Sequence, residues 1–134
     1  MKYIKKLSIL GFHSANLIMI IFYLYPGSIF GSLLYDNSSI QPQLTSDFIV
    51  SSNHLYIFII LSTLGIIAYQ HTEKVKLVIV YLFLLSIILE LLHFVIPNRS
   101  FEMQDLFGNL LGTLIIIIIY SWNNGEFWSQ DPIS

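Results

Sequence analysis

Apolar residues fall in four long blocks along this chain, separated by polar joints. The blocks cover residues 7–25, 54–69, 77–96 and 105–122. Runs of about 18 or more mostly apolar residues are read as membrane-spanning helices. The pattern therefore predicts one all-α integral membrane domain over residues 1–134 with four spans, the second of them short. Lys2, Lys5 and Lys6 precede the first block. That block is longer than the roughly 7–15 apolar residues of a secretory signal, and no small-residue cleavage site follows, so it reads as a retained first helix. Within it Gly11 and Ala15 form a small-xxx-small pair, a pattern that marks the side packed on other helices. His13 and Asn16, three residues apart, read as packing contacts on the same helix.

Pro26 ends the first span and opens a long loop over residues 26–53. Its paired apolar residues Ile29, Phe30, Leu33, Leu34 and Tyr35 suit a short interfacial helix. Residues 70–76 make a short polar turn with a solvated His71, and residues 97–104 make a second connection. Trp122 and Trp128 stand where aromatic residues anchor at headgroup level, and the tail is polar.

Lysine and arginine set the orientation of such a bundle. Lys2, Lys5 and Lys6 lie before the first span, and Lys74 and Lys76 lie in the 70–76 turn. The long loop has no lysine or arginine, and the 97–104 connection has only Arg99. Both termini and the middle turn are thus expected in the cytoplasm, with the long loop and the last connection outside.

Composition fits this picture. Hydrophobic residues make up 55% and charged residues 10%, against about 25% charged in soluble chains. A multi-pass protein of the cell membrane is expected, in contact with membrane lipid. The net charge of −2, with no dense basic patch, argues against nucleic acid as a partner. Without cysteine there are no disulfides, thiolate metal sites or cysteine nucleophiles. A glycine-rich phosphate loop, Gly-x-Ser-x-Gly and His-Glu-x-x-His are all missing.

The candidate chemistry gathers at the outer ends of the spans. His54 opens the second span, Glu90 and His93 lie near the end of the third, and Asp105 and Asn109 open the fourth. Ionisable groups in a bilayer cost about 2.5–3.5 kcal/mol each at a helix centre, so a chain that holds them pairs them or uses them. Asp47 in the loop has the reach to fold over them. Glu90 and His93 share a helix face. With His54 and Asp105 they resemble a hard-ligand metal set, because Glu-x-x-His is a ligand spacing in helical bundles. A second Glu-x-x-His is missing, the alternative is an interfacial histidine bonded to a neighbouring helix, and no metal or cofactor is expected.

Asp105, Gly108, Asn109 and Gly112 form one stripe on the fourth span. The two glycines let another helix approach closely, Asp105 suits an N-terminal helix cap, and Asn109 suits a tie between helices. Arg99 suits either a surface pair with Glu102 and Asp105 or a grip on an anionic headgroup. Glu90 is the acid–base candidate, and the alternative is a pairing with Arg99 that holds the turn.

These residues carry a resemblance. Glu90, His93, Ile96-Pro97-Asn98-Arg99, Glu102, Asp105, Asn109 and Gly112 look like the signature of the VanZ-like membrane proteins. Their third span ends with Glu, then Pro and Arg, and Asp-x-x-x-Asn-x-x-Gly opens the fourth. His54 with Phe58 and Gly65 is similar to the family's second span. Typical members carry Gln where this chain has His93, and Asp-Lys where it has Val50-Ser51. The resemblance implies a bacterial integral membrane protein, and the namesake is associated with low-level resistance to the glycopeptide teicoplanin. The expectation is an outward polar cleft in the cell envelope that binds glycopeptide, lipid-linked or other anionic envelope material through His54, His93, Arg99, Asp105 and Asn109. The alternative is a non-catalytic scaffold or small subunit whose polar stripe is helix packing. The sequence commits to no enzyme class and no oligomeric state.

Overall fold

A computed structural model of the chain describes residues 2–125. The helices run in the order α1 (Lys2–Leu24), α2 (Ile29–Tyr35), α3 (Ser52–Tyr69), α4 (Val75–Leu92) and α5 (Met103–Asn123). Four of them, all but α2, are long and apolar enough to cross a membrane. Trp122 lies exposed at the end of α5, and Trp128 lies outside the described residues.

Solvent logic is reversed in this bundle. Leu10, Leu17, Leu77, Val80, Leu84 and Ile118 point outward, where lipid tails are as favourable a surrounding as a protein core. The fully buried set, by contrast, holds Glu90, His93, Asn109, Thr113, Ser62 and Ser86 beside Phe58, Leu61 and Leu82. In hydrocarbon such polar groups need partners from other helices.

α3 is the centre of the bundle. It packs most extensively on α5, then on α1, and also touches α4, while α4 lies against α5. The α3–α5 contact rests on the glycine pair. A Cβ at Gly108 would meet the Ser51 carbonyl oxygen, and one at Gly112 would meet that of Leu55. The small-residue reading of these two positions therefore holds, with α3 as the partner. The same reading fails for Gly11, which has no atom within 4 Å of its would-be Cβ. α1 packs instead through Phe12, Met19 and Tyr23, with Ala15 partly buried against them. The Phe12 ring packs against Gly65 of α3, where a Cβ would stand 3.0 Å from it.

α4 ends at Leu92, short of the expected residue 96. The Pro97 ring would collide with the carbonyl of residue 93 if the helix continued. The chain tightens instead: His93 N–H bonds to the Glu90 carbonyl at 3.1 Å and Phe94 N–H to that of Leu91 at 3.2 Å. Asn98 then takes φ 59°, a left-handed turn conformation that asparagine tolerates. Glu90 thus lies two residues from the helix end, about 3 Å in depth, not the 9 Å implied by a helix running to residue 96.

The long loop is ordered by its own polar side chains. α2 forms where the paired apolar residues suggested, with Ser28 Oγ accepting from Gly31 N–H at 3.0 Å. The rest is tied to the start of α3. Asn53 binds the Pro42 carbonyl at 2.7 Å and Leu44 N–H at 3.0 Å. Asp47 is held at the start of α3, where its Oδ1 takes the Ser52 N–H at 2.7 Å, satisfying one of the free donors at a helix start, and it borders a space shared with Glu102 and Asp105. At the opposite end of the bundle, His13 meets the Tyr69 hydroxyl at 2.8 Å and Asn16 donates to the Tyr81 hydroxyl at 2.5 Å. Both are packing ties, as their spacing suggested, and His71 is exposed.

Candidate functional site

Four long helices bring one end each to the same place: the C-terminal ends of α1 and α4 and the N-terminal ends of α3 and α5. There His54, Glu90, His93, Asp105 and Asn109 meet. Tyr23 of α1 joins them, a residue without a mark in the sequence. It sits in an apolar run as one of several aromatic residues, and nothing in its spacing separates it from a lipid-facing ring.

Asn109 is the hub. Its amide donates to the Ser86 carbonyl of α4 at 3.1 Å, which fixes the orientation of the side chain. Its Oδ1 then faces the Tyr23 hydroxyl at 2.7 Å and His54 Nδ1 at 3.0 Å. Tyr23 donates its single proton to Oδ1. His54 Nδ1, also 2.9 Å from the Tyr23 oxygen, meets only acceptors and therefore carries a hydrogen. In a neutral ring the lone pair then lies on Nε2, and Nε2 is 3.4 Å from Asp105 Oδ2.

Glu90 and His93 form a second unit. His93 Nε2 lies 3.1 Å from the Tyr23 carbonyl oxygen, which can only accept, so this nitrogen donates. His93 Nδ1 lies 3.2 Å from Glu90 Oε1. One proton lies between these two atoms, whichever of them holds it. Glu90 Oε1 also accepts the Glu102 N–H at 3.0 Å. Glu90 Oε2 is fully buried with no hydrogen-bond partner, and it lies 3.9 Å from His54 Nδ1.

Two sequence expectations are corrected here. Asp105 is the third residue of α5 and does not cap it; Glu102 holds the cap position, and its side chain makes no capping bond. The helix begins earlier than its apolar run, so the Asp105 carboxylate is left facing His54. Arg99 pairs with neither Glu90 nor Glu102 nor Asp105 in any ion pair among the described residues. It closes the carbonyl end of α1 instead. Nε donates to the Tyr25 carbonyl at 3.2 Å and one terminal nitrogen to that of Phe22 at 3.1 Å, while the other reaches Gln41 Oε1 at 3.2 Å. A cation at a helix C-terminus meets free carbonyls and the negative end of the dipole. Burial lowers the Arg99 guanidinium from its ordinary value, and Tyr23, Asp105 and Glu90 act against that shift. An arginine remains charged regardless.

A cleft of about 250 Å³ opens over the cluster, lined by Gln41, His93, Asn98, Arg99, Glu102 and Asp105 among others. A smaller one of about 170 Å³ adjoins it past Asp47 and Asn53 and shares Glu102 and Asp105. Asp105 and His93 thus connect the cleft to the buried groups. Glu90, His54 and Asn109 line neither space. Among the described residues, His54, Glu90 and Asp105 also bring one ligand atom each within 4.8 Å of the others.

The sequence profile of the VanZ/LLP1 family matches residues 10–124. The chain belongs to that family, and the match spans every helix that builds the site. No curated protein and no solved structure matches the chain.

Proposed function

We propose that this VanZ/LLP1 family member is a multi-pass protein of the bacterial cell membrane whose cleft opens outward and receives lipid-linked envelope material or a glycopeptide. Five of the six cationic residues support the orientation, since all lie in segments at the end of the bundle remote from the cleft, the pattern of a cytoplasmic side. The observation that carries the reading is the lining of the cleft. Arg99 has N–H hydrogens left after its three bonds, while Glu102, Asp105 and Gln41 offer acceptors around it. A ligand with one anionic group and several hydroxyl or amide donors fits that mixture better than a bare phosphate. Sugars and peptides of the envelope carry both. In this reading Glu90 is the acid–base group beneath the cleft, with His93 Nδ1 3.2 Å from its Oε1.

A second reading is favoured by a specific observation. Arg99, His93 and Asn109 each bind backbone carbonyls of a neighbouring helix, as ties in a scaffold or small subunit would. Glu90→Gln separates the two readings. It keeps the shape of the side chain but removes its charge. Teicoplanin susceptibility would be measured in cells expressing wild type and Glu90→Gln, with membrane abundance taken from the same cultures. The cleft reading expects the wild-type phenotype to vanish at normal abundance. A phenotype that follows abundance alone would transfer the assignment to the scaffold. A wild type that changes nothing would remove the glycopeptide from the proposal.

A further inference from the structure

We infer that His54, Glu90 and Asp105 hold a divalent metal cation at the floor of the cleft, each from a different helix. The first ground is geometric. The three ligand atoms lie within 4.8 Å of one another. At a metal–ligand distance of about 2.0–2.1 Å, neighbouring corners of a tetrahedral site stand about 3.3 Å apart. His54 Nε2 and Asp105 Oδ2 stand 3.4 Å apart, too far for the roughly 2.7–2.9 Å of a charge-assisted hydrogen bond.

The second ground is the unpartnered oxygen. Glu90 is completely buried, and its Oε2 has no partner. Ionised, this oxygen is a buried acceptor with nothing to accept. Protonated, it is a donor facing no acceptor within hydrogen-bond reach. A proton therefore satisfies it in neither form, whereas a cation satisfies it directly. The same cation removes the opposition between the His54 Nε2 lone pair and Asp105. A proton placed there would relieve only that half of the site.

The surroundings are those of a supported metal centre. A ligating histidine donates its other N–H to a fixed acceptor, which sets tautomer and ring orientation. His54 Nδ1 does this toward Asn109 Oδ1, itself held by Tyr23 and Ser86. Glu90 is oriented through its other oxygen by Glu102 N–H and His93. Two carboxylates balance a dication in a buried place. Three protein ligands with one side open to a cleft is the layout of a site that keeps a position for water or ligand. One imidazole and two carboxylates suit Zn²⁺ or Mn²⁺ better than a soft ion, and the chain has no cysteine. This reverses the expectation of no metal drawn from the missing second Glu-x-x-His, because the third ligand comes from α5 and His93 supports Glu90 from behind.

The test uses full-length protein in detergent, carrying an affinity tag without histidines. Metal content is measured by mass spectrometry after purification. Zn²⁺ and Mn²⁺ are then titrated into chelator-treated protein, with Mg²⁺ and Ca²⁺ for comparison. The inference expects about one Zn²⁺ or Mn²⁺ per chain, a fall in melting temperature on chelation, and its recovery on adding the ion back. Asp105→Asn, whose side chain is 18% exposed and so tolerates change, should weaken binding at least tenfold. Glu73→Gln and His71→Gln, both exposed in the turn at the far end of the bundle, should leave binding unchanged. Wild type without an ion or a saturable titration would overturn the site. So would Asp105→Asn binding like wild type, or the two control variants losing binding equally. The site stands independently of the occupant proposed for the cleft, and its failure would leave that proposal in place.

Discussion

Replacing Gly112 by alanine adds one methyl group where the bundle has no room for it. The new Cβ would stand 2.6 Å from the Leu55 carbonyl oxygen, 3.0 Å from Phe58 Cβ and 3.1 Å from Ile59 N. Two of these are backbone atoms of α3 and cannot rotate away. Ordinary contact begins at 3.4 Å, so α5 must withdraw from α3 by roughly 0.8 Å at this point. Asn109 lies one turn away on the same face and moves with it. Its 3.0 Å contact with His54 Nδ1 then stretches beyond about 3.5 Å, where it is no longer a hydrogen bond. Overpacking costs about 1–3 kcal/mol, and a stranded buried polar partner costs about 1–3 kcal/mol more. Alanine returns about 1 kcal/mol of helix propensity, leaving a net destabilisation of about 1–5 kcal/mol.

The assay is the apparent melting temperature of the purified protein in detergent. Gly108→Ala should behave like Gly112→Ala, since its Cβ would stand 2.7 Å from the Ser51 carbonyl oxygen. Gly11→Ala is the control. Nothing lies within 4 Å of that position, so only the propensity gain remains and the melting temperature should hold or rise. Gly112→Ala melting with wild type would refute the reasoning, as would Gly11→Ala falling as far as Gly112→Ala.

Two further predictions concern the residues that join α1 to the cluster. Tyr23→Phe keeps the ring against Phe58 and His93 but removes the donor to Asn109; it should lower stability by about 1–2 kcal/mol, read by the same melt. Arg99→Lys keeps the charge but loses the planar fork that spans the Phe22 and Tyr25 carbonyls; it should destabilise the chain by about 1–3 kcal/mol and raise amide hydrogen exchange in the last turn of α1, and unchanged exchange there would show that α1 ends without help from Arg99.

How much of this was legible in the sequence follows from the physics of each feature. A bilayer demands an unbroken apolar length, so the blocks behind α1, α3, α4 and α5 stand out. Their ends are set by backbone events instead. α4 stops at Leu92 because Pro97 acts backward by four residues, through a stretch of apolar side chains that still reads as helix. α5 starts before its apolar block because the start of a helix needs only turn geometry. The meaning of small residues also depends on the neighbour. Gly108 and Gly112 press on α3, whereas Gly11 faces outward on the same small-xxx-small pattern.

The candidate site divides along the same line. His54, Glu90, His93, Asp105 and Asn109 were visible because a polar residue in an apolar block has no cheap explanation. Arg99 was visible, but its partners were not. They are carbonyls of α1, and a backbone group leaves no mark in sequence. Tyr23 was hidden for the opposite reason. Its ring belongs in an apolar run, and it joins the polar cluster through its hydroxyl, 2.7 Å from Asn109, and its backbone carbonyl, 3.1 Å from His93 Nε2. In a protein whose exterior is lipid, the polar interior is assembled by amphipathic side chains and backbone groups as well as by charges. The ionisable residues mark where such an interior lies, and the glycines of α5 decide how tightly it closes.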